Sequence, residues 1–508
     1  MILRIEKEKL LISKPWFGYV AVFVLSAALY IATCAPTVLW QDSGLFQYRI
    51  WHNDLQGKLG LALAHPLYIM IGISAKYIPL GNFAHRINLI SAISAAIAVA
   101  NLFLLMRLWL GKNSPAMASA ITLAVSWTFW QHAVIAEVYT LYAAQMLAEL
   151  IVLLMFIRSR RVGYLFLLAL FNGLAISNHM WGVFGFACYT VFLIHLLIRK
   201  NITIKIFAVA VVMWIIGALP YEFLVIKSFF ATGDFFGTIS SALFGGAWQG
   251  VVSNTSVSTK IIFENIVFIV LNFPTPSALL IFVGIRSFRN KLPGKAFGNI
   301  IIALAILYFV FAFRYTVPDR YAFFLPFYCF AAIFAGIGAD WFFRQLANKK
   351  WIYLVLCFSM TPAVVYFFTP TIARRYYKSL GQRRQRPYRD EYAYFLEPWK
   401  TGYRGAERFA TETLETVEQC AVIYAYTTDV HAILVLQETQ SIRSDVMVVS
   451  DYDASIGAEI LNEQAFEKWV KERPVYCASP FKGYCPDWML ENYEFEQTWP
   501  IYKVVRKK

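Results

Sequence analysis

Charge is scarce in this chain. Only 15% of its 508 residues are Asp, Glu, Lys or Arg, against roughly 25% in ordinary soluble proteins, which excludes a typical cytosolic enzyme. Acid is scarcest in the first 370 residues, which hold 11 Asp/Glu against 27 Lys/Arg. There is no low-complexity tract and no repeat at a solenoid period, and with 59% hydrophobic and 17% aromatic residues the chain is not disordered. Cysteine is sparse as well, seven in all. Cys34, Cys188, Cys329 and Cys357 lie in apolar segments, where a small core residue is expected. Cys420, Cys477 and Cys485 lie near the C-terminus, where Cys477 and Cys485 are expected to pair if that region meets an oxidising compartment. No Cys/His cluster has zinc-ligand spacing, so no metal site is assigned; the chemistry below needs no cofactor, although a divalent metal remains compatible with it.

Long apolar runs are what the chain has instead. A span needs about 20 apolar residues, and eleven segments qualify: 15–34, 87–106, 116–135, 138–157, 162–177, 181–198, 206–226, 261–285, 296–313, 321–343 and 351–370. The first is read as a retained span, since no small-residue cleavage site follows it. The run 261–285 contains Asn272-Phe273-Pro274-Thr275-Pro276 and is expected to be broken there. The net charge of +15 suggests nucleic acid, but the excess sits between these spans, where it orients a membrane protein rather than gripping phosphate backbones. No nucleic-acid partner is expected.

Every second short loop is basic: Arg4 to Lys14, Arg107/Lys112, Arg158 to Arg161, Arg199 to Lys205, Arg286 to Lys295 and Arg344 to Lys350. The positive-inside rule puts these loops and the N-terminus in the cytoplasm and, with eleven spans, the C-terminal region outside. The cluster Arg374, Arg375, Lys378, Arg383, Arg384, Arg386 and Arg389 runs against this rule, and is read as an outer collar contacting membrane lipid. The expected organisation is a transmembrane domain at 1–370, a basic juxtamembrane linker at 371–389 and a soluble extracytoplasmic α/β domain at 390–508. That last domain should carry strands at 421–426, 445–450 and 475–478, with helices at 430–439 and 456–472. The fold class is thus an α-helical polytopic membrane protein with a small α/β tail, and its compactness points to a bacterial inner (cell) membrane.

Acids and imidazoles collect on the outer side: Asp42, Asp54, Glu137, Glu222, Asp234, Glu264, Asp319, and His52, His65, His85, His132 and His179. Charges held near a membrane default to function, and the two longest loops, 35–86 and 227–260, are on the same side. Asp42, in Asp42-Ser43-Gly44, has the chemistry of a base for an acceptor hydroxyl; its structural alternative is an Asx-turn opening the next helix, with Gly44 permitting a sharp bend. His65, before Pro66, can orient a substrate oxygen or simply be an interfacial polar residue. Glu137 is either a second carboxylate or a helix cap, and Asn178-His179 fits a tight turn. Arg314 and Arg320 suit a phosphate or headgroup snorkelling. Asn254-Thr255-Ser256 has the pattern of a glycosylation acceptor.

Taken in order, these pieces resemble the GT-C type of integral-membrane glycosyltransferase, and most closely the transmembrane protein O-mannosyltransferases that modify plexin-type domains, with their bacterial relatives. Asp42-Ser43-Gly44, His65, Pro66-Leu67-Tyr68, Ala136-Glu137-Val138-Tyr139, Ser177-Asn178-His179 and the stretch Arg320-Tyr321 to Leu325-Pro326 match that family's segments. In the tail, Tyr426 to Asp429 and Ser444 to Ser450 match its bacterial members. The chain departs at Leu45, where the family carries Glu, and at Leu67, where it carries a second Pro. The resemblance implies inverting transfer of a hexose, with mannose among the candidates, from a polyprenyl-phosphate donor to a hydroxyl of a protein, lipid or glycan on the outer face. Asp42 is the expected base with Glu137 beside it. Arg320, Arg314 and His179 would bind the donor phosphate, with His65 and Asp54 orienting substrate. Two other readings stand against this: a transporter of lipid-linked glycans, and a membrane scaffold whose activity was lost with the Glu at Leu45.

Overall fold

The structure, a computed structural model, describes residues 2–317, 319–377, 386–451 and 456–507. Lys378, Arg383 and Arg384 of the expected collar lie outside the described residues, as do the side chains of Arg4, Lys7, Lys9 and Lys14. The chain is mainly helical. A long first helix, α1 (Ile2–Thr33), leads through an irregular turn into α2 (Asp42–Trp51) and α3 (Pro66–Lys76), both short and outside the spans. Then come α4 (Phe83–Leu110), α5 (Asn113–Ala124), α6 (Trp127–Ala133), α7 (Tyr139–Ser159), α8 (Gly163–Asn178), α9 (Gly182–Ile198) and α10 (Ile204–Thr232). Two surface helices follow, α11 (Phe235–Phe244) and α12 (Gln249–Val252). The bundle is completed by α13 (Thr259–Asn272), α14 (Leu279–Ser287), α15 (Lys295–Arg314), α16 (Leu325–Gln345), α17 (Lys350–Phe358) and α18 (Pro362–Tyr376).

Among the described residues seven helical stretches are long and apolar enough to cross a membrane, or eight if a bent pair counts as one. The protein is an integral membrane protein. The difference from eleven has local causes. The run 116–135 is two helices, because the chain breaks at Val125 and Ser126 between α5 and α6. The runs 162–177 and 181–198 form α8 and α9, of 16 and 17 residues, shorter than a full crossing. The break at Asn272–Pro276 is as expected: the helices on either side meet at 102°, because the two prolines remove donors and clash with a continuing helix. Close helix contacts rest on small residues. At Gly173 and Gly217 the backbones of α8 and α10 approach so closely that no Cβ fits, and Gly284 and Gly338 do the same for α14 and α16.

The C-terminal region adds α19 (Glu391–Leu396), α20 (Gly405–Thr416), α21 (Thr427–Thr439), α22 (Glu463–Glu472) and α23 (Asp487–Asn492). Its strands are β1 (Val422–Tyr424), β2 (Met447–Ser450), β3 (Glu459–Ile460), β4 (Val475–Cys477), β5 (Tyr493–Thr498) and β6 (Ile501–Arg506), in the order β3-β2-β1-β4-β6-β5. β3, β2, β1 and β4 are parallel, while β6 runs antiparallel to β4 and β5. The expected helix 456–472 is partly strand: β3 takes Glu459–Ile460 and the helix begins at Glu463, capped by Asn462. Cys477 and Cys485 are both buried and are not joined to each other; the Cys485 thiol lies 3.3 Å from the Met489 sulfur. One continuous buried cluster runs from the membrane helices into this region, including Phe409, Ile423 and Val430. Of the expected collar, Arg386 pairs with Asp429 at 2.7 Å and Arg389 with Glu391 at 2.6 Å, all four side chains at most 4% exposed. Those two cations hold the linker to the tail and are not offered to lipid.

Candidate active site

At the tail-side end of the bundle the loops 35–86 and 227–260 fold over one cavity of about 500 Å3. Asp42, Leu45, Arg49, His65, Glu137, His179 and Arg314 line it, between apolar walls that include Leu63, Val183, Phe184, Phe244, Phe311 and Phe323. Five residues singled out from sequence, spread from position 42 to 314, therefore meet in one space.

Asp42 is the first residue of α2. The preceding residue, Gln41, has φ 57° and its side chain makes no cap; among the described residues no hydrogen bond holds the Asp42 carboxylate in an Asx-turn. Gly44 lies within the helix rather than at a bend. The Asp42 side chain is exposed to the cavity. Glu137 is buried just before α7, and its backbone N–H donates to Ser91 Oγ at 3.0 Å. His65 adopts φ 50° immediately before Pro66, a left-handed backbone that is uncommon for any residue but glycine and often marks functional sites. Its Nδ1 lies 2.7 Å from the Asn178 carbonyl. A carbonyl only accepts, so that nitrogen carries the proton and Nε2 is left as an acceptor. The His179 ring stacks on His65 at 5.0 Å and lies 4.0 Å from the Trp181 ring. Its Nδ1 accepts the Trp181 N–H at 3.1 Å, which leaves Nε2–H as the donor of the neutral ring. The two imidazoles thus offer one acceptor and one donor.

Arg314, at the end of α15, uses Nη1 on the carbonyls of Val252 and Asn254, both at 2.6 Å. Among the described residues its Nε and Nη2 have no hydrogen-bond partner. Asn254, the expected glycosylation asparagine, donates its amide to the carbonyls of Ser256 and Arg314. Two expected site residues fall elsewhere. Arg320 does not line the cavity: it is buried against Glu264 in an ion pair, donates to Asn265 Oδ1 at 3.3 Å and lies over the Phe268 ring. Its Nε and Nη2 are engaged there, outside the cavity lining. Asp54 accepts the backbone N–H groups of Gln56 and Gly57 and sits 4.0 Å from Arg49 Nε, so it shapes the loop and supports Arg49 rather than facing the cavity.

Arg49 was not selected from sequence, and Asp319 was grouped with the outer acids but given no role. The Arg49 side chain is 2% exposed and binds the carbonyls of Leu55 at 3.0 Å and Ala64 at 2.7 Å. A lone cation inside Leu45-Phe46-Gln47-Tyr48-Arg49-Ile50-Trp51 is the available signal, because a charge on an otherwise apolar helix must find a buried partner. Asp319 follows α15 by five residues, and only the fold brings it beside the other acids.

Like charge among the acids resists their ionisation. Burial, and then the Asp319 charge, push the Asp42 carboxyl up to about 7. Glu137 is raised well above the usual carboxylate range by burial, then by Asp42 and Asp319, and burial raises Asp319. Burial draws His65 down to about 4 and His179 well below its ordinary value, with His65 adding to it. Near neutrality the site therefore holds one carboxyl close to its titration point, a second whose ionisation is strongly resisted, and two neutral imidazoles. Among the described residues no group of three or more His, Cys, Asp or Glu is arranged to hold a metal ion.

A family model for the N-terminal domain of the protein O-mannosyl-transferase TMEM260 matches residues 60–203, a stretch containing His65, Glu137 and His179. Among solved structures the chain is similar to ArnT from Cupriavidus metallidurans bound to undecaprenyl phosphate, with a TM-score of 0.63 and 16% identity, over 96% of this chain and 98% of that one. The apo state of that protein gives 0.61 and 13%, with the same coverage. At such identities the likeness establishes the fold, which is that of the GT-C type membrane glycosyltransferases.

Proposed function

We propose that the protein transfers a sugar from a polyprenyl-phosphate donor to an acceptor hydroxyl at the extracytoplasmic face of the membrane, with inversion at the anomeric carbon. The observation that carries this reading is the single cavity in which Asp42 and Glu137 face Arg314 and Arg49 between apolar walls. A prenyl chain suits those walls, a phosphate suits the open edge of Arg314, and a hydroxyl acceptor suits Asp42. The similar ArnT was solved with undecaprenyl phosphate, which motivates the donor class, and the TMEM260 domain motivates mannose as the first sugar to try.

In this scheme the acceptor oxygen attacks the anomeric carbon while the bond from that carbon to the phosphate oxygen breaks. The acceptor proton passes to Asp42, whose value of about 7 matches the demand on a general base near neutral pH. Negative charge grows on the departing phosphate, and the guanidinium of Arg314 is placed to meet it. Glu137, held well above the usual carboxylate range, is the hydrogen-bonding partner for substrate beside that base. Asp42 is active only when ionised, so transfer should rise as pH increases through about 7.

The test is release of sugar from a panel of radiolabelled polyprenyl-phosphate sugars by purified protein, with and without membrane extract. Wild type should release one sugar and Asp42→Asn none. Binding without release from every donor would instead favour the transporter or scaffold reading.

A further inference from the structure

The segment that carries Asp42 is held from outside by the C-terminal region. Trp40, 1% exposed, donates its indole N–H to Tyr403 Oη at 2.7 Å and packs on Phe409 at 5.3 Å. The Gln41 N–H donates to the Thr428 carbonyl at 3.1 Å. At Gly44 a Cβ would stand 2.8 Å from the Leu39 carbonyl oxygen and 3.2 Å from His431 Cβ, so α2 and α21 touch at backbone distance only because that residue is glycine. At the far end of α2, Glu438 of α21 accepts the Tyr48 hydroxyl at 2.7 Å with one oxygen and meets His52 Nε2 at 2.5 Å with the other. A helix of ten residues is about 15 Å long; this one is gripped near both termini by residues almost 400 positions away.

We propose that the C-terminal region is the plate that aims the base. Glu438 is a positioning residue that fixes the rotation and axial position of α2, and through it the direction of the Asp42 carboxylate in the cavity. This rests on Asp42 being the base. The bonds at Tyr48 and His52 lie six and ten residues beyond Asp42, too far to touch substrate, so Glu438 acts only through the helix. A shift of about 1 Å at a catalytic group can cost on the order of a hundredfold in rate, which makes such a grip consequential.

The experiment compares full-length wild type, Glu438→Ala and Glu438→Gln by sugar release across pH and by hydrogen exchange. Glu438→Ala should lower kcat by about tenfold to a hundredfold with the donor KM within about twofold, and should raise amide exchange across 42–52. Exchange in β1 and β2 should not change, which shows that the tail is still folded. Glu438→Gln keeps an acceptor for Tyr48 and should recover most of kcat. An unchanged kcat beside a loosened α2 would overturn the positioning role, and so would unchanged exchange at 42–52. If wild type released no sugar from any donor, glycosyl transfer itself would fail, and the exchange arm would then judge the grip alone.

Discussion

Acids at the two ends of the helix bundle are treated in opposite ways. At the end away from the tail, the Asp340 side chain is wholly buried and meets Lys291 at 2.9 Å, Arg344 at 3.0 Å and Lys112 at 3.2 Å. At the tail-side end, Asp42 and Glu137 make no ion pair among the described residues; the Asp319 charge adds to burial in raising Asp42, and Asp42 and Asp319 add to it in raising Glu137. Three cations around one acid tie together the ends of α4, α14 and α16, and leave no reactive charge. Two acids without cations cost stability and keep a proton in play. The first arrangement is architecture and the second is the expense of a reactive site.

The sharpest way to break the contrast is to neutralise one acid at each end. Asp42→Asn should abolish transfer, by about a thousandfold or more, yet should stabilise the protein. Because the folded state raises this group's affinity for protons, wild type loses stability as pH rises from about 4 through about 7, and the amide removes that loss. The gain should be of order 1 kcal/mol, since water in the cavity screens the charge. Asp340→Asn should do the reverse: about 2–4 kcal/mol of destabilisation from cations left facing one another, with kcat per folded molecule unchanged. Thermal unfolding and sugar release on the same samples read both. Matching losses of stability in the two variants would dissolve the distinction.

A smaller effect is expected at Glu137. Glu137→Gln keeps a neutral hydrogen-bonding group and should cost about tenfold to a hundredfold in kcat. It should leave the acid limb of the pH profile where it is, because Asp319 and not Glu137 is the charge that resists ionisation of Asp42. A limb that moved down would mean that Glu137 is charged beside Asp42. Next comes the pair of arginines. Arg314→Ala should weaken donor binding by about tenfold, the worth of a charge-assisted hydrogen bond. Arg320→Ala should lower thermal stability by stranding Glu264 while leaving the donor KM alone.

That last contrast also marks where sequence stops being readable. Apolar runs and basic loops make the helical membrane class legible, because lipid imposes one composition on every span. The break at Asn272–Pro276 is legible because proline acts locally. Asp42, Glu137, His65, His179 and Arg314 could be named because a polar group near a membrane is expensive wherever it lies. Arg320 met the same criterion and was misplaced: its partner, Glu264, lies 56 positions away, and no local pattern shows that an arginine is already neutralised. Arg49 was missed, and Asp319 given no role, for the complementary reason, since their meaning depends on which distant groups the fold sets beside them. The grip of Glu438 on α2 is of the same kind.

The smallest expected effect tests Leu45, where the resembling family carries Glu. Leu45 is 6% exposed and lines the cavity three residues after Asp42, on the same helix. If the missing carboxylate were indispensable, Leu45→Glu would raise activity sharply. The geometry argues otherwise, because Glu137 and Asp319 already supply two acids around Asp42. A third neighbour would only add repulsion, so Leu45→Glu should push ionisation of Asp42 further up and move the acid limb of the pH profile by about one unit, with kcat on the plateau within about threefold of wild type. The variant also puts a carboxyl into an apolar wall and should cost about 1–3 kcal/mol in stability. A large gain in kcat at constant pH would show that Glu137 and Asp319 do not replace what Leu45 lacks, and that the unpaired acids at this end of the bundle are one short.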